Sequence, residues 1–223
     1  ELCKISGLRW IRILYCYPEE ITDDLFQVIK EEDKICNYLD LPIQHASDAI
    51  LKRMGRRTSK EQLVQIISKL RKEIPDIAIR TTLITGFPGE TEAQHEELME
   101  FVDEMEFDRL GVFTYSPEED TPAAMMPEQL EETVKEDRQA DLMELQQEIA
   151  FEKAENMIGR EVLVMIEGKV ADENAYVGRT YMDAPNVDGL IFVETNEELM
   201  SGDFAKVRVT GALEYDLIGE IIS

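Results

Sequence analysis

The sequence predicts an α/β portion, a parallel sheet with helices between its strands, followed by a small all-β, OB-like barrel. Three observations carry that reading. Up to about residue 116, strand-length runs rich in β-branched and aromatic residues alternate with amphipathic stretches of helical period. From Glu128 to Met157 a stretch without Gly or Pro keeps helical spacing. Beyond Gly159 the period falls to two, and turn residues separate short runs.

Taken in order, Trp10 to Tyr17 (WIRILYCY) ends at Pro18, which suits a strand leaving a sheet. Thr22 caps a helix whose apolar face is Leu25, Phe26, Val28 and Ile29. Cys36 to Ile43 is a second strand. Ser47 and Asp48 offer a cap for a short helix through Met54, which Gly55 stops. Ser59 opens a helix with Leu63, Ile66, Ile67 and Leu70 in one stripe. Ala78 to Ile84 is a third strand, followed by a Gly/Pro turn and a helix from about Thr91 to Met105. Leu110 to Tyr115 is a fourth. Pro117 to Pro127 reads as a loop. The helix after it spaces Leu130, Val134, Leu142, Leu145 and Ile149 along one side, with Glu128, Glu131 and Glu132 where the helix dipole favours acids. The final strands are Glu161 to Val170, Ala175 to Met182, Gly189 to Thr195, Phe204 to Gly211 and Leu213 to Ile222.

Strands separated by helices indicate parallel βα units joined by right-handed crossovers. Four strands are too few for a closed eight-stranded barrel, so the sheet is either open or part of a barrel. The start, Glu1-Leu2-Cys3-Lys4-Ile5, lacks an initiator Met and reads like the inside of an amphipathic helix in a longer protein.

The formal charge of -25 is the strongest bulk feature. So acidic a surface repels phosphate backbones and suits basic partners or simple solubility, so nucleic acid is not expected as the main substrate. With 43% hydrophobic and 32% charged residues the chain is neither disordered nor a membrane protein. No apolar run is long enough to span a bilayer and no signal segment opens it, so the expected compartment is the cytoplasm. Cys3, Cys16 and Cys36 include no C-x-x-C pair, and His45 and His95 are the histidines, so a metal site has no convincing ligand set.

Three stretches carry candidate chemistry. In RTTLITGFPGET, residues 80–91, a strand runs into Gly86-Phe87-Pro88-Gly89 and then a helix. Glycines there allow a ligand close to the backbone, or simply a tight turn. No G-K-[ST] follows, and the acids disfavour an anion, so a nucleoside or amino-acid ligand fits better than a phosphate. LPIQHASD, residues 41–48, places Gln44, His45 and Ser47 at a strand end. His45 is at least as well read as a hydrogen-bonded structural histidine as a catalytic base, and His95, among Glu92, Glu96 and Glu97, as solvated. VFTYSPEEDTP, residues 112–122, leaves a third strand end with Thr114, Tyr115 and Ser116. Three such ends would converge on one pocket. No Ser-His-Asp set, Walker sequence or HExxH is present.

Together LPIQHASD, RMGRRTS, IRTTLITGFPGET, DRLGVFTYSPEEDTPA, GRTYMDAPNVDG and EYDLIGE closely resemble the radical-SAM methylthiotransferases, in order from about Trp10 to the end. The resemblance is to the branch that modifies a ribosomal protein; the tRNA-modifying branch usually has a QSGSD-like sequence where Gln44-His45-Ala46-Ser47-Asp48 stands here. It implies a partial TIM-like (βα) radical-SAM barrel over residues 1–124, a connecting helix over 125–158 and a TRAM barrel over 159–223. It implies S-adenosylmethionine and two 4Fe-4S clusters as cofactors. The parent activity would be transfer of a methylthio group to the β-carbon of an aspartate on a small-subunit ribosomal protein. The cofactor-binding candidates it points to are Gln44, His45, Ser47, Arg80, Thr82, Ile84, Gly86, Glu90 and Tyr115; it assigns no catalytic residue. The family's CxxxCxxC loop is missing, and the spacing of Cys3, Cys16 and Cys36 does not replace it, so this stretch alone is expected to be inactive. The alternatives are a tRNA adenosine methylthiotransferase and a non-catalytic protein-binding module.

Residues 160–223 hold 13 acids and five bases, a net charge of -8. Tyr176, Tyr181, Phe192 and Tyr215 lack the basic groove that accompanies base stacking, and read better as packing residues. An acidic barrel suits a lysine- and arginine-rich ribosomal protein.

Overall fold

The computed structural model describes residues 1–222. It divides into two compact units, residues 1–146 and 147–223.

The first unit holds a four-stranded sheet of β1 (Ile11–Ile13), β2 (Ile35–Gln44), β3 (Ala78–Thr85) and β4 (Arg109–Thr114) in sequential order, every neighbouring pair parallel. The helices between them are α1 (Asp23–Glu31), α2 (Asp48–Arg53), α3 (Lys60–Glu73) and α4 (Glu92–Met105). Sequential order with right-handed crossovers sends every connection over the same face of the sheet, which is the winding of a barrel rather than of a doubly wound sheet. The burial of β3 follows suit. Ile79, Thr81, Leu83 and Thr85 are sealed, while Arg80, Thr82 and Ile84 on the other face stay half-open. On the same open face Phe113 of β4, opposite Ile84, is 58% exposed. This is the partial (βα) barrel that the sequence predicts.

Local chemistry explains the helices. Thr22 Oγ1 accepts from the Leu25 amide at 3.3 Å, and Phe26 and Ile29 are buried, although Val28 of the expected stripe faces solvent. Ser59 and Gln62 form a reciprocal capping box at the start of α3, whose Leu63, Ile67 and Leu70 are buried. Leu98, Phe101 and Val102 of α4 are fully buried, with the Phe101 ring 6.0 Å from that of Phe107.

Three expectations need correction. The first strand covers Ile11–Ile13 rather than Trp10 to Tyr17; it pairs on one side alone, and the chain turns away at Tyr15 (φ 57) before Pro18. The opening residues form a 3-10 turn, Leu2–Lys4, not a longer helix. The long helix, α5 (Glu132–Glu155), begins after Glu128, which has φ 64 and accepts the Gly89 amide. Within the first unit, its buried side carries Lys135, Arg138, Leu142 and Gln146, while Val134 is exposed. Lys135, Gln139 and Gln146 donate to the carbonyls of Tyr115, Val112 and Phe107, tying the helix along the β4 edge.

The second unit is a closed barrel of β5 (Glu161–Lys169), β6 (Ala175–Arg179), β7 (Ile191–Glu194), β8 (Phe204–Leu213) and β9 (Asp216–Ile221), in the order β5-β6-β7-β9-β8. Inward positions Val162, Val164, Ile166, Tyr176, Ile191, Val193, Val207, Val209 and Leu217 form its core. Tyr176 is therefore a packing residue, its hydroxyl accepting from the Leu199 amide at 3.2 Å. Gly178 and Gly219 lie where strands approach closely: a Cβ on Gly219 would stand 2.4 Å from Val207 Cγ1 and 2.8 Å from the Arg208 carbonyl oxygen. No helix of the described residues is long and apolar enough to cross a membrane.

Candidate ligand-binding site

Parallel strands end together, so Gln44, Thr85 and Thr114 lie along one rim, the carboxyl end where ligands settle in such sheets. The contacts confirm the convergence. The Tyr115 amide donates to the Thr85 carbonyl at 2.8 Å, and the Phe87 and Tyr115 rings meet edge to face at 5.2 Å. Ile50 of α2 joins them in a buried apolar cluster on which Ile84, Met54 and Met126 pack.

Glu90 organises the turn between β3 and α4. It is 4% exposed. Its Oε2 accepts from the amides of Gly86 at 2.6 Å and Phe87 at 3.1 Å, and its Oε1 from Arg138 at 3.1 Å. Burial pushes the Glu90 carboxyl above the usual carboxylate range, against the pull of Arg138 and the two amides. Glu90 thus already occupies the Gly86 and Phe87 amides that a bound anion would use.

His45 is wholly buried. The Ser47 amide donates to its Nδ1 at 2.9 Å, so the neutral ring carries its proton on Nε2, which faces Glu90 Oε2 at 3.8 Å, beyond hydrogen-bond length. Burial above all, with His95 and Arg138 adding to it, lowers its pKa to about 3. The structural reading of this histidine is thus the one the geometry favours. Gln44, just before it, has φ 76, a backbone conformation costly for a side chain with a Cβ.

Of the predicted residues, His45, Ser47, Gly86, Glu90 and Tyr115 gather under the rim, all buried. Gln44, Thr82 and Ile84 remain half-open. Arg80 lies further down β3, where its Nη1 reaches Asp40 Oδ1 at 3.1 Å. His95, expected to be solvated, is 3% exposed, because α5 covers α4 and sets Asp141 Oδ2 3.2 Å from His95 Nε2. Sequence reasoning missed Phe87, Lys135 and Arg138. Lys135 and Arg138 could have been found as two cations three apart near the start of a helix whose other charges up to Glu152 are all acidic.

Among the described residues no group of three His, Cys, Asp or Glu side chains stands together to hold a metal. Among the described residues Cys3, Cys16 and Cys36 form no disulfide, and burial raises the pKa of Cys16.

Residues 1–102 match the Radical SAM superfamily and residues 158–222 match the TRAM domain. The fold and its rim define a radical-SAM sheet followed by a TRAM barrel. Over 219 residues the chain is 68% identical to a protein named ribosomal protein uS12 methylthiotransferase RimO from Lachnoclostridium phytofermentans, covering 98% of this chain and 50% of that protein. To the protein of that name from Clostridium botulinum strain Hall it is 52% identical over 221 residues, covering 99% of this chain and 49% of that protein. The chain thus combines a Radical SAM match with a TRAM match, is similar along nearly its whole length to these methylthiotransferases, and spans about half the length of the curated relatives it matches. A solved structure of the radical-SAM enzyme coproporphyrinogen III oxidase (HemN) from Escherichia coli aligns with a TM-score of 0.48 at 20% identity, covering 68% of this chain and 34% of that one.

Proposed function

We propose that the protein containing this chain is a methylthiotransferase of the RimO type, acting on the β-carbon of an aspartate in ribosomal protein uS12. The observation that carries the reading is the gathering of residues 44–47, 84–90 and 113–116 at one rim, in a chain 68% identical along 98% of its length to a protein of that name. S-adenosylmethionine suits this rim because half-open side chains and strand backbone are offered to its neutral adenosine part, while the Gly86 and Phe87 amides are occupied by Glu90. Bound there, it would supply the methyl group and, given one electron from a reductant outside this chain, the hydrogen-abstracting chemistry. Gln44, Thr82 and Ile84 line its place. Ser47, Gly86, Glu90 and Tyr115 shape that place from beneath, while the neutral His45 holds the loop after β2 through the Ser47 amide. Arg80, paired with Asp40, lies deeper on the same open face. The two 4Fe-4S clusters do not fit this chain, whose three cysteines are not assembled with other ligands, and no step is assigned to them.

The acidic TRAM barrel is the surface suited to basic uS12, and the reaction then belongs in the cytoplasm, where ribosomes are modified. Arg179 pairs with Glu167 at 2.7 Å and Arg208 with Glu161 at 2.9 Å, so two of the barrel's five cations are already neutralised. Each pair also uses one acid, so the net charge stays at -8 while 11 acids and three bases remain outside these two pairs.

The test uses the full-length protein with uS12 and with tRNA, read by mass spectrometry. A methylthio group on a uS12 aspartate is expected, and one on tRNA adenosine instead would overturn the assignment. Ile84→Arg, which fills the half-open face, should abolish S-adenosylmethionine binding in the same protein.

A further inference from the structure

We propose that Arg138, assisted by Lys135, is a positioning residue for the ligand turn: from α5 it fixes Glu90, which in turn fixes the amides of Gly86 and Phe87. The inference rests on the reading of that turn as the support of S-adenosylmethionine. Arg138 is 6% exposed, and its Nη1 donates both to Glu90 Oε1 and to the Glu90 carbonyl oxygen, each at 3.1 Å. Its Nη2 reaches Glu92 Oε2 at 3.2 Å. The other Glu90 oxygen holds the two turn amides, so one chain of charge-assisted bonds runs from the helix to the backbone beside the ligand's place.

Lys135 works one turn earlier. It is 4% exposed, its Nζ donates to the Tyr115 carbonyl at 3.0 Å, and its shaft lies over Gly86. A Cβ on Gly86 would stand 2.3 Å from Lys135 Cγ. The glycine of the ligand turn is therefore also required by the helix behind it. Two residues three apart on α5 thus hold the turn after β3 and the end of β4, two of the three segments of the rim. Packing alone does not call for this. Apolar side chains would seat a helix there without desolvating two cations, whereas a guanidinium fork selects one rotamer of an ionised Glu90.

The experiment compares Arg138→Leu, Arg138→Lys and Ile84→Arg in the full-length protein. Amide hydrogen exchange at Gly86 and Phe87 and affinity for S-adenosylmethionine are measured together. Arg138→Leu should speed exchange at those two amides about tenfold while leaving Leu83 in β3 protected, and should weaken S-adenosylmethionine about tenfold. Arg138→Lys, which keeps the charge without the fork, should fall between; if Arg138→Leu does not fold, the lysine variant is read alone. Unchanged exchange overturns the inference. Faster exchange with unchanged affinity also overturns it, leaving Arg138 a purely structural residue. Loss of binding in Ile84→Arg distinguishes these cases: where it occurs, the ligand reading of the rim stands by itself, and where neither variant alters affinity, that reading falls too.

Discussion

Acidification offers a sharp test of how the rim is built, because His45 is a neutral imidazole sealed beneath it. Its pKa in the fold is about 3, against an ordinary value near 6.5 in an unfolded chain. Between those values the unfolded state binds a proton that the native state refuses. The stability held by the neutral ring is therefore complete above about pH 6.5 and is lost as the pH falls toward 3. Each unit within that window removes about 1.4 kcal/mol, so about 3 kcal/mol is gone by about pH 4.5. The carboxylate of Glu90, 3.8 Å away, does not rescue the imidazolium, since its charge is already spent on Arg138 and two amides. Glu90 acts with the opposite sign, its raised folded pKa contributing stability below its unfolded value that is lost as pH rises. The comparison is therefore with His45→Gln, in which Glu90 and the other acids remain. Denaturant unfolding followed by the fluorescence of Trp10, the single tryptophan, reports on the first unit. The difference in stability between the original protein and the variant should shrink by about 3 kcal/mol from about pH 7 to about pH 4.5. A difference constant to within about 0.5 kcal/mol would refute the argument.

Other consequences concern the scaffold. Phe101→Ala empties a fully buried site against Phe107 and should cost about 3–5 kcal/mol in the same unfolding assay, with Phe101→Leu costing far less. Gly219→Ala drives a methyl group into Val207 and the Arg208 carbonyl, so the barrel's thermal transition should drop by several degrees while Trp10 fluorescence keeps its midpoint. Ser59→Ala removes the acceptor for the Gln62 amide and should cost about 1 kcal/mol, measurable by denaturation of the first unit.

Much of the fold was legible because its punctuation is local. Strands β2, β3 and β4 were placed to within a residue or two at nearly every end by β-branched runs ending at polar or Gly/Pro turns, and the barrel strands by their period of two. The rim was legible for the same reason: sequential parallel strands put GFPGE, QHAS and TYS at one end whatever the side-chain details. What was hidden depends on partners distant in sequence. Arg138 and Glu90 are 48 residues apart, and His95 and Asp141 are 46 apart. A buried charge paired across that distance looks, in sequence, like any solvated residue on a helix. The first strand failed for a related reason: WIRILYCY has strand propensity throughout, but only the neighbouring strand decides how much of it pairs.

The two margins of the parallel sheet are finished differently. On the β4 side, side chains of α5 grip the main chain. On the β1 side the outermost strand is followed by Leu14, Tyr15 and Tyr17, which are 44%, 79% and 55% exposed. The consequence is mechanical: the β4 margin is held to a helix by side-chain-to-backbone bonds, so its strand cannot shift register without breaking them, whereas β1 is held through its pairing with β2.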